Sequence, residues 1–452
     1  MNILFSSMPI ELFDNSDIIS MRTVPTTAIY LLSAVIRENG YSVEILDPYI
    51  IKKELADNTF NSIMRKALEG KDILCLSSNT LNWPMTIEAI KVVRELKGDS
   101  IIIVLGGLHP TYCYKYIYSK FDVDYILIGE GEETIIDLLH CIENNNGFES
   151  VDGLIVKNRE KKELKNIHKP QISPHKYYKL PLPAFDMLPD QAYYALPIET
   201  SRGCKYNCSF CSIAHRNNWR EFNEELVINR TKKIITGYQN KFINKEIFIT
   251  DDCLTADLER ADRILRGIID ISAESKIMLE TRITDWKNEI ESYKSKVFSF
   301  PQITRLGFGI ECGYNEGLLR ISKGFTIEIL EKTLVFLEKN KLIEKAFFSF
   351  IIGFPWETMD ECLKTIEYAA SIVVRYGQGL VNLNWLWLFP SRLWEKRRNY
   401  NIFLSDSVFD DPNYRKQYYF KQTHPKIRNY EYQYINDVIK DYEKRGIYLR
   451  NY

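Results

Sequence analysis

Ser201-Arg202-Gly203-Cys204-Lys205-Tyr206-Asn207-Cys208-Ser209-Phe210-Cys211 sets three cysteines four and then three residues apart. Thiolates spaced in this way can close around one face of an iron-sulfur cluster. A cubane usually takes four thiolates, so a loop that supplies three leaves one iron open to a substrate or cofactor. His215 permits a second reading, a Cys₃His zinc site. Structural zinc sites, however, pair two short ligand clips across a longer loop, whereas Cys204 to His215 is one continuous stretch with no second clip downstream. A disulfide framework is weaker still. No apolar signal follows Met1, and the 9 cysteines are an odd number scattered among apolar runs, which implies reduced thiols and a cytoplasmic location.

With 452 residues, 45% hydrophobic and 26% charged, the chain can bury a substantial core and should divide into two or three domains. The 59 basic and 60 acidic residues leave a net charge of −1, so no global field favours nucleic acid or an anionic membrane, and a small-molecule or peptide-derived substrate is easier to support. No uncharged apolar run approaches the ~18 residues of a membrane span. The strongest runs, Ile101 to Leu105 and Phe347 to Ile352, have the length and composition of buried strands.

The amino-terminal third alternates strand and helix patterns. Asn2 to Ser6, Ser42 to Asp47, Ile73 to Ser77, Ile101 to Leu105 and Tyr125 to Ile128 read as strands, and Ile29 to Ile36 as a helix stopped by Gly40. This alternation predicts a doubly wound parallel sheet with ligand loops at the carboxyl ends of its strands: Ser77 to Trp83, Gly106 to Thr111 and Gly129 to Glu132. Gly106-Gly107 and Gly129-Glu130-Gly131 are places where a ligand could approach backbone, although neither forms a G-x-G-x-x-G and tight strand-to-helix turns account for them equally well taken singly. Residues 146–194 are charged and then proline-bearing, and read as a linker.

The Cys-x₃-Cys-x₂-Cys loop, with Phe210 before its last cysteine, resembles the signature of radical S-adenosylmethionine enzymes. The resemblance implies a [4Fe-4S] cluster on Cys204, Cys208 and Cys211, with S-adenosylmethionine chelating the fourth iron. It also implies reductive cleavage to a 5′-deoxyadenosyl radical, fed by a flavodoxin- or ferredoxin-type electron donor. Leu105-Gly106-Gly107-Leu108-His109-Pro110-Thr111 and Ile128-Gly129-Glu130-Gly131 resemble the cobalamin-binding domain that precedes many such enzymes. The implied organisation is α/β throughout: a Rossmann-like cobalamin-binding-type domain over 1–145, the linker, a partial (β/α)₆ barrel over 195–390, and a small helical cap over 391–452. Ile198 to Thr200 would open the barrel, and the aromatic run from Asn384 would close it.

Four further strand ends carry polar groups. Asp251 and Asp252 match the family's contact to the methionyl amine, where carboxylates suit two donors; alternatively they cap the following helix. Arg282 resembles the arginine that grips the methionyl carboxylate. Gly309-Ile310-Glu311-Cys312-Gly313 with Lys323-Gly324 resembles the family's Gly-x-Glu-Ser-Gly … Lys-Gly stretch, which makes Glu311 a ribose or amine partner. Cys312 replaces serine there and reads either as a compact buried residue or as a second catalytic thiol. Gly353-Phe354-Pro355-Trp356-Glu357-Thr358 resembles the adenine turn, with Trp356 in place of glycine.

In the amino-terminal domain the Asp-x-His-x-x-Gly cobalt-ligand motif is absent. Ser77, Gly106, Gly107, Thr111, Gly129, Glu130 and Gly131 are the expected cobalamin contacts, with Trp83 either beneath the cobalt or packed at a domain face. Tyr414, Tyr418, Tyr419, Tyr430, Tyr432 and Tyr434 either cap a substrate cavity or lie on amphipathic helices.

The resemblance implies hydrogen abstraction from an unactivated carbon, followed by methyl transfer if cobalamin is bound. The alternatives are a radical dehydration, cyclisation, ring contraction or epimerisation on a sugar or peptide-derived metabolite, and, in another class, a non-catalytic cobalamin or redox sensor. A transfer-RNA methylthiotransferase is disfavoured, because the amino-terminal region lacks a further three-cysteine set and no basic RNA-binding tail follows.

Overall fold

The computed structural model describes residues 1–10, 23–156, 169–414 and 423–450. They pack as two units: Met1–Leu196 with Ile234–Asn244 and Leu404–Pro412, and Pro197–Lys233 with Lys245–Phe403 and Asn413–Tyr452.

The first unit holds a six-stranded sheet of β1 (Asn2–Ser6), β2 (Ser42–Leu46), β3 (Ile73–Ser77), β4 (Ile102–Gly106), β5 (Tyr125–Leu127) and β6 (Leu154–Val156), in the order β2-β1-β3-β4-β5-β6. The central strands are apolar without alternation because helices cover both faces; Ile73, Leu74, Cys75 and Leu76 are all buried. β2, at the edge, buries only Leu46 fully. The pairs among β1 to β5 are parallel, as the helix and strand alternation predicts. β6 is a three-residue antiparallel strand on β5 that no sequence pattern announced. With β1 flanked by β2 and β3, the strand order reverses between β1 and β3, which is where doubly wound sheets open a crevice for ligands.

The expected linker packs as part of this unit. Phe185 and Tyr193 are buried, and the Tyr193 hydroxyl donates at 2.7 Å to buried Asp47, which also accepts from Tyr30 at 2.6 Å. Residues 157–168 of that stretch lie outside the described residues.

The second unit is built on β7 (Ala195–Ile198), β10 (Glu246–Ile249), β11 (Lys276–Thr281), β12 (Ile303–Glu311), β13 (Ala346–Ile352) and β14 (Val381–Trp385), paired in chain order with β10 to β14 parallel. A short antiparallel pair, β8 (Ser201–Arg202) and β9 (Arg220–Glu221), stands apart. Helices intervene between successive long strands, and β7 and β14 end the strand order without pairing with each other, so among the described residues the sheet is an open (β/α)₆ arc. Its strands alternate: Phe348, Phe350 and Ile352 are buried, whereas Phe347, Ser349 and Ile351 are half-buried. The opening strand starts earlier than expected, at Ala195, and the closing strand starts at Val381.

The carboxyl-terminal part is not one cap. Residues 404–412 belong to the first unit and the remainder to the second. In the second unit Tyr414 is buried and donates to the Leu388 carbonyl at 2.7 Å, while Tyr432 packs on Trp385 at 4.7 Å. Tyr430 and Tyr434 face solvent from the helix Asn429–Lys444, as amphipathic packing requires; Tyr418 and Tyr419 lie outside the described residues.

Candidate functional site

The cysteine loop leaves β8 through Gly203, whose φ of +73° and approach to Asn218 admit only glycine: an added Cβ would lie 2.2 Å from the Asn218 carbonyl oxygen. The loop returns through backbone bonds from Cys204 N to His215 O at 3.2 Å and from Asn218 N to Cys204 O at 3.1 Å. Among the described residues no three His, Cys, Asp or Glu side chains converge on a single metal ion. A cluster is different, because its thiolates go to separate irons.

The donor set suits thiolate ligation. Arg282 donates from Nη1 to Cys208 Sγ at 3.2 Å, with its guanidinium 3.8 Å above the Tyr206 ring. The Cys204 thiol is lowered to about 6, chiefly by a hydrogen bond from the Cys253 thiol. Burial pushes Cys211 up to about 12, a cost that ligation removes by deprotonating the thiol outright. Cys253 is a neighbour that the sequence pattern did not single out.

The paired aspartates divide their work. Asp251 is buried and accepts from Thr200 N and Thr200 Oγ1, both at 2.6 Å, and from Ser201 Oγ, so it anchors the strand end that leads into the cysteine loop. Burial raises it to about 6 against those hydrogen bonds. Asp252 is exposed and has no hydrogen bond or ion pair among the described residues. Desolvation, followed by the nearby Cys204, raises it to about 7. Of the two, Asp252 is the carboxylate available to a bound amine. Neither caps the next helix, whose N-cap is Asp257.

Arg282 is already engaged: besides Cys208 it donates from Nη2 to the Lys323 carbonyl at 2.7 Å, which leaves its buried Nε without a partner. Lys323 and Glu311 form a buried ion pair at 2.9 Å. Glu311 adopts φ +74° just past a register slip between β12 and β13, a strained backbone of the kind that collects at functional sites. Cys312 is fully buried, as a compact apolar residue would be.

The turn after β13 is organised by Glu357. Its wholly buried carboxylate accepts from Gly353 N at 2.6 Å, Phe354 N at 2.8 Å and the Tyr314 hydroxyl at 2.9 Å. Burial raises it to about 7. His424 closes the turn from outside, with Nε2 3.3 Å and 3.2 Å from the Gly353 and Phe354 carbonyls. Phe210 meets Phe354 edge-on at 5.8 Å, and Trp356 stacks on Phe354 at 5.1 Å, so Trp356 lies in packing rather than across an open pocket. Glu357 was legible as part of the Gly-Phe-Pro-Trp-Glu-Thr motif; His424 carried no signal.

In the first unit the predicted loops are laced together at the crevice. Asn82 joins Ser7, Met8 and Ser78 at 3.0 Å each, and Thr111 Oγ1 bridges the Gly107 carbonyl at 2.8 Å and the Gly129 amide at 3.0 Å. The close neighbours at the glycines are the chain's own backbone. An added Cβ would lie 2.5 Å from the Ser78 oxygen at Gly107 and 2.7 Å from the Pro170 oxygen at Gly129. Glu130 accepts from Ile172 N at 2.6 Å. Ser77, Gly106, Gly107, Gly129, Glu130 and Gly131 remain half-exposed along the rim with an exposed apolar Leu108, a surface that can receive the edge and apolar face of a corrin.

Trp83 is not an open loop side chain. It begins the helix Trp83–Lys97, is wholly buried, stacks on His109 at 4.7 Å and donates from Nε1 to Asp410 at 2.8 Å. His109 is buried as well, and desolvation lowers it to about 3.

Residues 22–139 match the B12 binding domain and residues 198–369 the radical SAM superfamily. An uncharacterized methyltransferase of Pyrococcus horikoshii is 26% identical over 392 residues, covering 85% of this chain and 80% of its own. The 4'-phospho-dehydrooxetanocin synthase of Priestia megaterium is 26% identical over 64% of this chain and 42% of its own. The fold is that of the cobalamin-dependent S-adenosylmethionine radical enzyme OxsB with aqua-cobalamin and S-adenosylmethionine bound, at TM-score 0.67, 18% identity, 98% of this chain and 61% of that one. It is also that of the radical methyltransferase TsrM of Kitasatospora setae with cobalamin and a [4Fe-4S] cluster bound, at TM-score 0.66, 13% identity, 94% of this chain and 83% of that one. The described residues contain no helix long and apolar enough to cross a membrane.

Proposed function

From a chain that joins a B12 binding domain to a domain of the radical SAM superfamily, we propose a cobalamin-dependent methyltransferase that acts on an unactivated carbon of a small-molecule or peptide-derived substrate. The observation that carries the reading is the meeting of the three-cysteine loop, unpartnered Asp252 and the Arg282 guanidinium at the carboxyl ends of the arc's strands, where α/β barrels hold their chemistry. When bound, the cluster with S-adenosylmethionine supplies an adenosyl radical that takes hydrogen from carbon, and cobalamin supplies the methyl group.

The chain's own residues bind and orient. Cys204, Cys208 and Cys211 hold the cluster, Asp252 accepts from the methionyl amine, and Arg282 keeps positive charge beside Cys208 and offers its free Nε to the methionyl carboxylate. Glu357 fixes the Gly353-Phe354-Pro355 backbone against which adenine lies. Glu311 and Lys323, paired and buried, present one charged unit rather than two independent ones. The electron comes from an external flavodoxin- or ferredoxin-type donor.

A second reading, a radical rearrangement without methyl transfer, is favoured by the similarity to 4'-phospho-dehydrooxetanocin synthase and to the anaerobic magnesium-protoporphyrin IX monomethyl ester cyclase of Synechocystis, 27% identical over 50% of this chain and 47% of its own. Anaerobic reconstitution with iron, sulfide and hydroxocobalamin, followed by desalting and metal analysis, tests the first reading, and the mass of the product separates it from the second. Cobalt retained with about four irons supports methyl transfer, and iron without cobalt removes it. Cys208→Ala is expected to lose both iron and S-adenosylmethionine cleavage while keeping a folded first unit; normal iron content in that variant overturns the site.

A further inference from the structure

Filled barrels carry bulky branched side chains at their inward positions. At the centre of the second unit's arc, Gly307 and Gly309 stand there instead. Register pairs Glu280 with Gly307 and Gly307 with Phe347, then Gly309 with Ser349 and Ser349 with Asn382. Residues paired across a parallel ladder project to the same side, and alternate residues of a strand share a face, so Arg305 and Asn384 join this row. It is the side opposite the one that buries Leu279, Leu306, Phe308, Phe348 and Leu383. The face is therefore hollow at its centre, where β12 carries glycines, and around it polar groups alternate with the apolar Met278, Phe347 and Ile351.

Each glycine seats a carboxylate. A Cβ on Gly307 would lie 2.0 Å from Glu280 Oε2, and one on Gly309 would lie 2.5 Å from Glu311 Oε1 and 3.0 Å from Lys323 Nζ. Glu311 is neutralised by Lys323, but Glu280 has no ion pair or hydrogen bond among the described residues. Arg305 lies with Cζ 4.1 Å over the Phe347 ring, and its buried Nε has no partner. The side chains of Ser349, Asn382 and Asn384 likewise make no hydrogen bond to the protein among the described residues. Arg305, Ser349 and Asn382 are half-buried, and such groups on a strand face are costly unless something pairs them, while Glu280 and Asn384 stand exposed beside them.

We infer that this face, centred on Glu280 above Gly307, is the substrate-binding surface and that it takes a neutral, hydroxyl-rich small molecule of the sugar or cyclitol type. The inference deepens the radical-enzyme reading and rests on it. One carboxylate and one guanidinium cancel in charge, so an anion would meet Glu280 and a cation would meet Arg305. The remaining groups mix donors and acceptors, as hydroxyls do. A hydrocarbon would leave all of them unpaired. Phe347 offers an apolar flank for the ring carbons. The face continues towards Arg282, two residues beyond Glu280, so a molecule lying on it reaches the cofactor end of the strands.

The test is saturation-transfer difference NMR on the cluster-loaded full chain with S-adenosylmethionine present, using myo-inositol and D-glucose as probes against indole, succinate and putrescine. Saturation transfer to the two polyols is expected, reduced roughly fivefold or more in Glu280→Ala, the size of one net hydrogen bond. Gly307→Ala, which displaces the Glu280 carboxylate without removing it, should give the same loss, and Glu280→Gln, which keeps an acceptor and the side-chain volume, should retain part of the signal. No transfer to the polyols in the unmodified protein, transfer confined to indole, succinate or putrescine, or polyol signals in Glu280→Ala and Gly307→Ala as strong as in the unmodified protein overturns the inference. Cleavage of S-adenosylmethionine by the unmodified protein is measured in parallel. If it fails, the radical-enzyme reading falls, whereas failed polyol binding with intact cleavage rejects this face alone.

Discussion

Lys323→Met isolates what the buried Lys323–Glu311 pair does for the site. The two side chains are 4% and 8% exposed and 2.9 Å apart. Methionine keeps much of the lysine volume but leaves Glu311 charged, buried and held in its strained φ of +74°. Removing one partner of a buried pair costs about 3–5 kcal/mol, because the orphaned charge has lost the interaction that offset its desolvation. At about 1.4 kcal/mol per factor of ten, local opening should become roughly a hundredfold to several thousandfold easier. A two-unit chain has no single unfolding free energy, so the readout is native-state hydrogen exchange at the β12 amides Gly307 to Ile310. The double variant Glu311→Gln/Lys323→Met removes the orphan charge and should recover more than half of the lost protection. If Lys323→Met leaves protection within about threefold of the parent, less than one net hydrogen bond, or if the double variant is as unprotected as the single one, the cost does not come from an uncompensated carboxylate and the reasoning fails.

Separating the adjacent aspartates gives a second test. Asp252→Asn should weaken S-adenosylmethionine binding roughly ten- to a hundredfold in equilibrium dialysis, the worth of a hydrogen bond to a charged group, with the thermal midpoint unchanged. Asp251→Asn should instead lower the midpoint by an amount equivalent to about 1–3 kcal/mol, because it disturbs buried bonds to Thr200 and Ser201. Gly107→Ala combines φ +102° with a Cβ 2.5 Å from the Ser78 oxygen, and should cost about 1–3 kcal/mol in backbone strain plus the clash. Limited proteolysis of the first unit and hydroxocobalamin uptake would report it, and parent-like behaviour in both would refute the packing role. His424, donating to two carbonyls and lowered by burial from 6.5 to about 4, contributes stability that is complete above pH 6.5 and is lost as pH falls towards 4. His424→Gln should flatten the fall of the thermal midpoint across that window; an unchanged slope counts against a neutral, buried imidazole.

What could be read before folding was whatever sits on contiguous residues. The cysteine loop, the Phe-Gly-Ile-Glu stretch of β12 and the Gly-Phe-Pro turn are local motifs, and the apolar runs at β3, β4 and β13 are too long and too β-rich to lie elsewhere than in buried sheet. What escaped depends on register or on distance along the chain. Glu280 faces Gly307 only because the β11–β12 pairing slips between Ile277 and Met278, an offset that no periodicity encodes. Trp83 reads from sequence as either beneath the cobalt or packed at a domain face, and nothing local points to its partner Asp410, 327 positions away. Gly107 and Gly129 have the positive φ that their spacing suggests, and the close backbone approach of Ser78 and Pro170 at these positions could not be read from sequence.

The carboxylates of the second unit show how the site is built. Asp251, Glu311 and Glu357 are buried, and each is fully engaged: with Thr200 and Ser201, with Lys323, and with the Gly353 and Phe354 amides. Asp252 and Glu280 are exposed and unengaged among the described residues. A buried carboxylate without partners would be neutralised or expelled, so the engaged three hold backbone in place before any ligand arrives. The unengaged two are raised above the ordinary carboxylate range chiefly by desolvation, and gain partners only on binding. Preorganisation of this kind means that the held residues set stability and the free ones set affinity. Paired substitutions should therefore separate cleanly: Glu357→Gln with Asp251→Asn should act on the fold with nearly additive losses, and Asp252→Asn with Glu280→Gln should act on two ligands independently. Strong coupling between Asp252 and Glu280 in S-adenosylmethionine affinity would show that cofactor and substrate share one carboxylate surface rather than two.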